Sequence, residues 1–231
     1  MFGLWPDYYY IILVVPAMIL SLIAQMKVKG TYRKMSQVQN RKGLTGAMAA
    51  QRVLSHYGIN NVRIEQVSGE LSDHYDMRSN VIRLSPKVYS SASIASVGIA
   101  CHEAGHAAQH AQNYTPINIT NAILPLANIG SSAGFTIAII GFFMGFEFLI
   151  NLGIILFACV VIFQLVTLPI EFNASKRALR VIDETGMLYE EEQKGAKKVL
   201  SAAAMTYVAS LLVSIASLLR LVLRFSSRKN R

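Results

Sequence analysis

Acidic residues are scarce in this sequence, and cysteine is scarcer. Thirteen Asp and Glu stand against 22 Lys and Arg, a formal net charge of +9. Such an excess invites a nucleic-acid interface, but the cations stand mainly at the ends of apolar runs, where they set topology and meet anionic headgroups. A nucleic-acid partner is therefore rejected. The only cysteines are Cys101, beside an Ala-rich helical stretch, and Cys159, inside an apolar run. No disulfide is expected from that pair. Internal repeats, low-complexity linkers and a nucleotide-binding Gly motif are all missing. Charge of either sign is thin, at 15% of residues against 53% hydrophobic, which points away from an ordinary soluble domain and toward a membrane protein.

What the sequence does have is long apolar runs. Tyr8 to Met26 carries no charge and is long enough to cross a hydrocarbon core about 30 Å thick. Trp5 and Tyr8–Tyr10 form an aromatic belt at its start, and Lys27, Lys29, Arg33 and Lys34 crowd its end, so the N-terminus is expected outside and the basic end in the cytoplasm. Neither basic residues before the run nor a small-residue cleavage site after it suggests a signal peptide, so the segment is expected to stay as an anchor. Two further runs, about 119–146 and 148–169, are separated by little more than Gly145, Phe146 and Glu147. Their turn carries no Lys or Arg and should lie outside, which returns residue 170 to the membrane face that residue 118 left. The last run, Val199 to Phe225, is long enough to span. Yet Ser201, Thr206, Ser210, Ser214 and Ser217 recur in it at near-helical spacing, Arg220 and Arg224 lie within it, and a fourth span would put Arg228, Lys229 and Arg231 outside. It reads as a span or a deep amphipathic helix packed by its small-residue face, a face that could equally serve another subunit.

Residues 27–113 are mostly soluble in character. Thr45 to Tyr57 has an N-cap Thr, Ala-rich spacing and a Gly58 stop, and predicts a helix. Val62–Val67 and Val81–Leu84 alternate as two short strands around a polar turn at Asp76–Asn80. Ser85-Pro86 closes the second strand, and Ser90, Ser91 or Ser93 caps a helix that runs to about Gln112 before Thr115-Pro116 breaks it.

That helix carries Ala100-Cys-His-Glu-Ala-Gly-His-Ala-Ala-Gln-His110. His102 and His106 are one turn apart on one face, where two imidazole nitrogens can meet one Zn²⁺ at about 2.0–2.1 Å. Glu103 flanks the same site as general base toward a water acidified by the metal. By chance, His-Glu-x-x-His arises in on the order of one chain of this size per hundred. Here it sits in a mostly apolar helix, where unpartnered polar groups would cost a few kcal/mol each. Glu171 is the first carboxylate met after the hairpin, and Glu171-Phe-Asn-Ala-Ser-Lys-Arg-Ala-Leu179 reads as a helix that opens with a third ligand, supported by Ser175. The helix dipole also favours a Glu in a first turn, which is the plainer explanation. His110 lies about 12 Å along the helix from His102, too far to share the ion, and belongs to the rim of the site or is an ordinary packed histidine. Glu147 should lie at the far membrane surface, His56 at the protein surface, and Asp183, Glu184 and Glu190–Glu192 in a solvated acidic turn.

The two-His helix, the double-span insert and Glu-Phe-Asn-Ala-Ser together resemble the YugP-type neutral zinc metallopeptidases of bacterial membranes, over nearly the whole chain. More distantly they are similar to the HtpX and CAAX-prenyl membrane peptidases. The resemblance implies a gluzincin site, with His102, His106 and Glu171 as ligands and Glu103 as base. Ser175 stands where the distant relatives carry Asp, and a hydroxyl orients a ligand less strongly than a carboxylate. Strand Val81–Leu84 occupies the position where zinc peptidases commonly present an edge strand to substrate. His74 or Tyr75 would then be placed to donate to the oxyanion. A solvated polar turn accounts for any one of these residues as well, and His74 is carried as a catalytic candidate.

The expected fold is a mainly α membrane protein, a helical bundle with a small α+β zincin-like cytoplasmic region carrying the two-His helix. Its parts are an N-terminal transmembrane anchor (1–29), the zincin-like region (30–117), a transmembrane hairpin (118–169), a helix with the third ligand (170–198), and a C-terminal apolar helix with basic tail (199–231). The expected function is zinc-dependent hydrolysis of peptide bonds near the cytoplasmic membrane surface, with the bilayer, a protein or peptide substrate, and a membrane-protein partner or second copy as partners. The alternative is a weak or inactive zinc-binding scaffold in a membrane complex. Glu103 separates the two, because a purely structural zinc site gains nothing from a general base and is normally closed by a fourth protein ligand.

Overall fold

Runs without charge wind into long helices in the computed structural model, which describes residues 8–226. A wide π turn, Tyr10–Val14, leads into α1 (Val15–Ser36), and α2 (Gly46–His56) follows. Three short strands come next, β1 (Arg63–Gln66), β2 (His74–Asp76) and β3 (Val81–Leu84). Then come α3 (Pro86–Ser90), α4 (Ile94–Ala111) and α5 (Thr115–Ile129), with a second π turn, Gly130–Gly134, leading into α6 (Phe135–Met144). Two very long helices, α7 (Glu147–Glu184) and α8 (Glu190–Ser226), finish the order. Among the described residues four helices are long and apolar enough to cross a membrane: Tyr10–Ser36, Thr115–Met144, Glu147–Glu184 and Glu190–Phe225. The last of these places the ambiguous C-terminal run with the other three. Trp5, Arg228, Lys229 and Arg231, on which part of the charge argument drew, lie outside the described residues.

One expectation fails in α7. Glu171 does not open a helix; it sits deep inside one, two residues beyond Pro169. Proline removes one backbone donor and crowds the preceding turn, but in a span-length helix neighbouring helices, hydroxyls and small local adjustments satisfy the freed group. The dipole explanation for Glu171 goes with the helix start.

The chain forms two units. The first contains the segment ending at Gln25, Asn118–Leu168 and the segment from Thr206. Small residues let its helices approach closely: a Cβ on Gly153 would come within 2.7 Å of the Ala138 backbone nitrogen.

The second unit contains Met26–Ile117 and Pro169–Met205. Thr45 caps α2, its hydroxyl accepting from Met48 N at 3.3 Å, and Ser93 caps α4 by accepting from Ser96 N at 3.1 Å. Strand order is β1-β3-β2, with β1 parallel and β2 antiparallel to β3. Val81–Leu84 is thus the central strand and not an edge, a correction to the sequence reading. The missing neighbour is β2, of which only Asp76 falls in the expected turn at Asp76–Asn80; three residues are too few to show alternation. Asp76 then ties the sheet edge, accepting from Arg83 at 2.8 Å and from the Ser79 hydroxyl at 2.6 Å. The core gathers Leu44, Val53 and Leu54 with Ile82, Leu84 and Val97, all essentially inaccessible. Helix α4 is buried over most of its surface, as a helix apolar nearly all round requires.

Candidate metal centre

Alanines and glycine make this site before any polar group does. On α4, Ala100, Ala104, Ala107 and Ala108 are buried, and on α7 so are Ala174 and Ala178. Gly105, between the two histidines, faces α7 so closely that a Cβ there would lie 2.8 Å from Ala174 O. Because no side chain intervenes, the carboxylate of Glu171 reaches the imidazoles across this contact.

The structure brings His102, His106 and Glu171 together, each offering one ligand atom within 4.8 Å of the others. His102 Nε2 and His106 Nε2 are 3.2 Å apart. Glu171 Oε2 lies 3.3 Å from the first and 3.7 Å from the second. Atoms that each sit about 2.0–2.1 Å from one tetrahedral ion are separated by about 3.3–3.4 Å, so the three edges match a zinc triad closely.

Hydrogen bonding behind the histidines fixes which nitrogen is free. The buried Gln109 donates from Nε2 to Ile170 O at 2.8 Å, and a carbonyl only accepts. Its Oε1 is therefore the atom 3.0 Å from His106 Nδ1, and an amide oxygen also only accepts. Nδ1 must carry the hydrogen, leaving the Nε2 lone pair toward Glu171. Ser175 Oγ lies 3.1 Å from His102 Nδ1, so the hydroxyl expected to support Glu171 supports a histidine instead. Glu171 Oε2 is buried without a hydrogen-bond partner, an arrangement that calls for a cation. Burial alone would lower the affinity of His106 for a proton, but the neighbouring Glu171 and Glu103 carboxylates outweigh it and its pKa is raised. The donor set is chemically that of a zinc ion, and the residues fit one.

Glu103 follows His102 on α4 and is nearly buried. Sequence reasoning missed Gln109, which is wholly buried and whose Nε2 also donates to Asn173 Oδ1 at 3.0 Å, an oxygen that accepts from Arg177 Nε at 2.7 Å. The signal was present: Gln109 stands three residues after His106, on the same helix face. The other candidates stand apart from the triad. His74 is exposed in β2 with Nδ1 2.8 Å from Ser72 O. Tyr75 places its hydroxyl 2.8 Å from His110 Nδ1 and 2.5 Å from Asn80 Oδ1, and burial with the neighbouring Asp76 charge pushes its pKa up to about 12. His56 pairs with Glu184 at 3.4 Å. The acidic turn is only partly solvated: Glu192 is buried, accepting from Tyr189 N and Arg41 N at 2.9 Å each, half of a capping box at the start of α8.

Comparison with known proteins agrees with this chemistry. The family described as "Putative neutral zinc metallopeptidase" matches residues 10–226. The chain is 45% identical over 216 residues to a protein of Bacillus subtilis (strain 168) named "Putative membrane protease YugP", covering 94% of this chain and 96% of that protein. No solved structure matches the chain. With nearly every described residue inside the match, the chain belongs to this zinc metallopeptidase family.

Proposed function

We propose that the chain is a membrane zinc endopeptidase of gluzincin type, with a zincin-like region built on α4 and its site at the cytoplasmic membrane surface. The observation that carries the reading is the convergence of two imidazole nitrogens and one unpartnered carboxylate oxygen on a single point. His102, His106 and Glu171 would hold the metal, with Gln109 and Ser175 orienting the two rings. Bound zinc supplies Lewis acidity and lowers the pKa of water toward about 7. Glu103 is the group that accepts the proton of the attacking water and returns it to the leaving amine. Its place beside His102 on α4 gives it the same rigid support as the ligands. The cations that follow the first apolar run, Lys27, Lys29, Arg33 and Lys34, support a cytoplasmic site by the positive-inside rule.

The test is proteolysis of an unfolded protein substrate by the purified, detergent-solubilised chain. Cleavage should stop on chelation and return with added zinc. Unchanged cleavage after complete removal of metal, or none at any zinc loading, would reject the peptidase.

A further inference from the structure

Within the second unit, α7 and α8 line a groove of about 700 Å³ that shares Ser175 with the metal centre but whose cations and apolar end have no part in the proposed reaction. Its lining changes character along its length. The short turn between α7 and α8 makes them antiparallel neighbours, and Gln193 Nε2 donates to Asp183 Oδ1 at 3.3 Å near that turn. At the other end the walls are Phe172 and Met205, both exposed, with Leu200 beneath. From there α7 runs back into the uncharged stretch ending at Leu168, and α8 runs on into the apolar stretch from Thr206. Between the two ends stand Lys176, Arg180 and Lys197.

The charges do not cancel. Of the acids in the groove, Glu190 pairs with Lys194 at 3.3 Å and Asp183 accepts from Gln193. Lys176, Arg180 and Lys197 have no ion-pair or hydrogen-bond partner among the described residues. Four cations against Asp183 and Glu190 leave the groove net positive, with Lys176, Arg180 and Lys197 above an apolar floor. We propose that this groove binds one anionic phospholipid, its phosphate on Lys176, Arg180 and Lys197 and the start of an acyl chain against Phe172, Leu200 and Met205. The polarity gradient selects this occupant. A free anion would leave the apolar end unfilled, and basic pockets between membrane helices hold acidic headgroups in this way.

The experiment uses the full chain purified in neutral detergent, with retention of phosphatidylglycerol and phosphatidylcholine compared by native mass spectrometry. One phosphatidylglycerol should be held in preference. The triple variant Lys176→Gln, Arg180→Gln, Lys197→Gln should lose on the order of 100-fold of that preference, at about 1 kcal/mol for each cation. All three side chains are exposed, so the fold should survive. A control variant, Lys27→Gln with Lys29→Gln, removes two cations at the end of another span and should keep the preference. Retained preference in the triple variant, or equal loss in the control, overturns the site. Full displacement by millimolar inorganic phosphate overturns the lipid as its occupant, as does capture of a synthetic acidic peptide with no lipid retained. The site is independent of the metal reading: His102→Ala should bind phosphatidylglycerol unchanged even if the peptidase assay fails.

Discussion

The two units treat the same kind of residue in opposite ways. In the first, Phe143 is 71% exposed and Ile155 62%, with Phe148 and Met144 similarly open. In the second, Val53, Leu54 and Val97 are wholly inaccessible, and the outward positions of α2 and the sheet are largely polar or charged. Exposed apolar surface on that scale is a liability in water and the proper outer face in hydrocarbon. The difference also places the chemistry. Every member of the metal cluster, and both residues behind its histidines, belongs to the unit whose apolar side chains turn inward.

If that division holds, turnover is set in the second unit alone. The largest effect should come from Glu103→Gln, which leaves the ligands intact: turnover falls by about 10²–10⁴-fold while bound zinc stays at wild-type level by metal analysis. Next is Glu171→Ala, which should release zinc to a chelator far faster than wild type. Its loss should exceed the about 10–100-fold that a supporting residue costs. Gln109→Ala should fall inside that smaller range, because it frees His106 to change tautomer and rotate without removing a ligand. Zinc retention equal in Glu171→Ala and Glu103→Gln would show that α7 does not complete the site.

Two further substitutions probe the opposite solvents. Ile155→Arg should raise the cost of inserting α7 by about 2.5–3.5 kcal/mol, read in a translocon insertion assay. Met48→Arg, on the 50% exposed face of α2, should change stability by no more than about 0.5 kcal/mol. Similar penalties at both positions would erase the contrast. Smallest is the sheet edge. Arg83, Ser79 and its backbone N–H hold the carboxyl pKa of Asp76 below its ordinary 3.8. A depressed acid contributes stability that is present above 3.8 and fades as pH falls through its lower folded value. Asp76→Asn should flatten that acid limb slightly and leave melting at pH 7 to 9 independent of pH.

How much of this was legible depended on distance along the chain. The end of α4 near Gln112 and the pair His102 and His106 follow from local spacing, which is what a sequence displays, while the same spacing narrows the cap only to Ser90, Ser91 or Ser93, of which the structure uses Ser93. Glu171 was reachable because the hairpin argument returns the chain to the same face. Its setting inside a continuous helix was not, since Pro169 ordinarily marks a boundary and only an apolar environment overrides that. The central position of β3 was hidden because it depends on β2, whose partner is chosen by register and not by its own three residues. Gln109 and Glu192 looked like ordinary polar residues; their burial is decided by α7 and by the Arg41 loop, far away in sequence.

The insertion of Asn118–Leu168 between the two-His helix and Glu171 has a consequence for the newborn chain. Synthesis delivers His102, Glu103 and His106 first, and the carboxylate that completes the triad only after two span-length segments have left the ribosome. A chain stalled or released before the hairpin is made has Glu103 and two imidazoles but lacks the Glu171 carboxylate. The order of translation therefore acts as a lock: no truncated product ending before residue 171 carries the three-residue cluster, and under the proposed function the site is complete only after both span-length segments have been made.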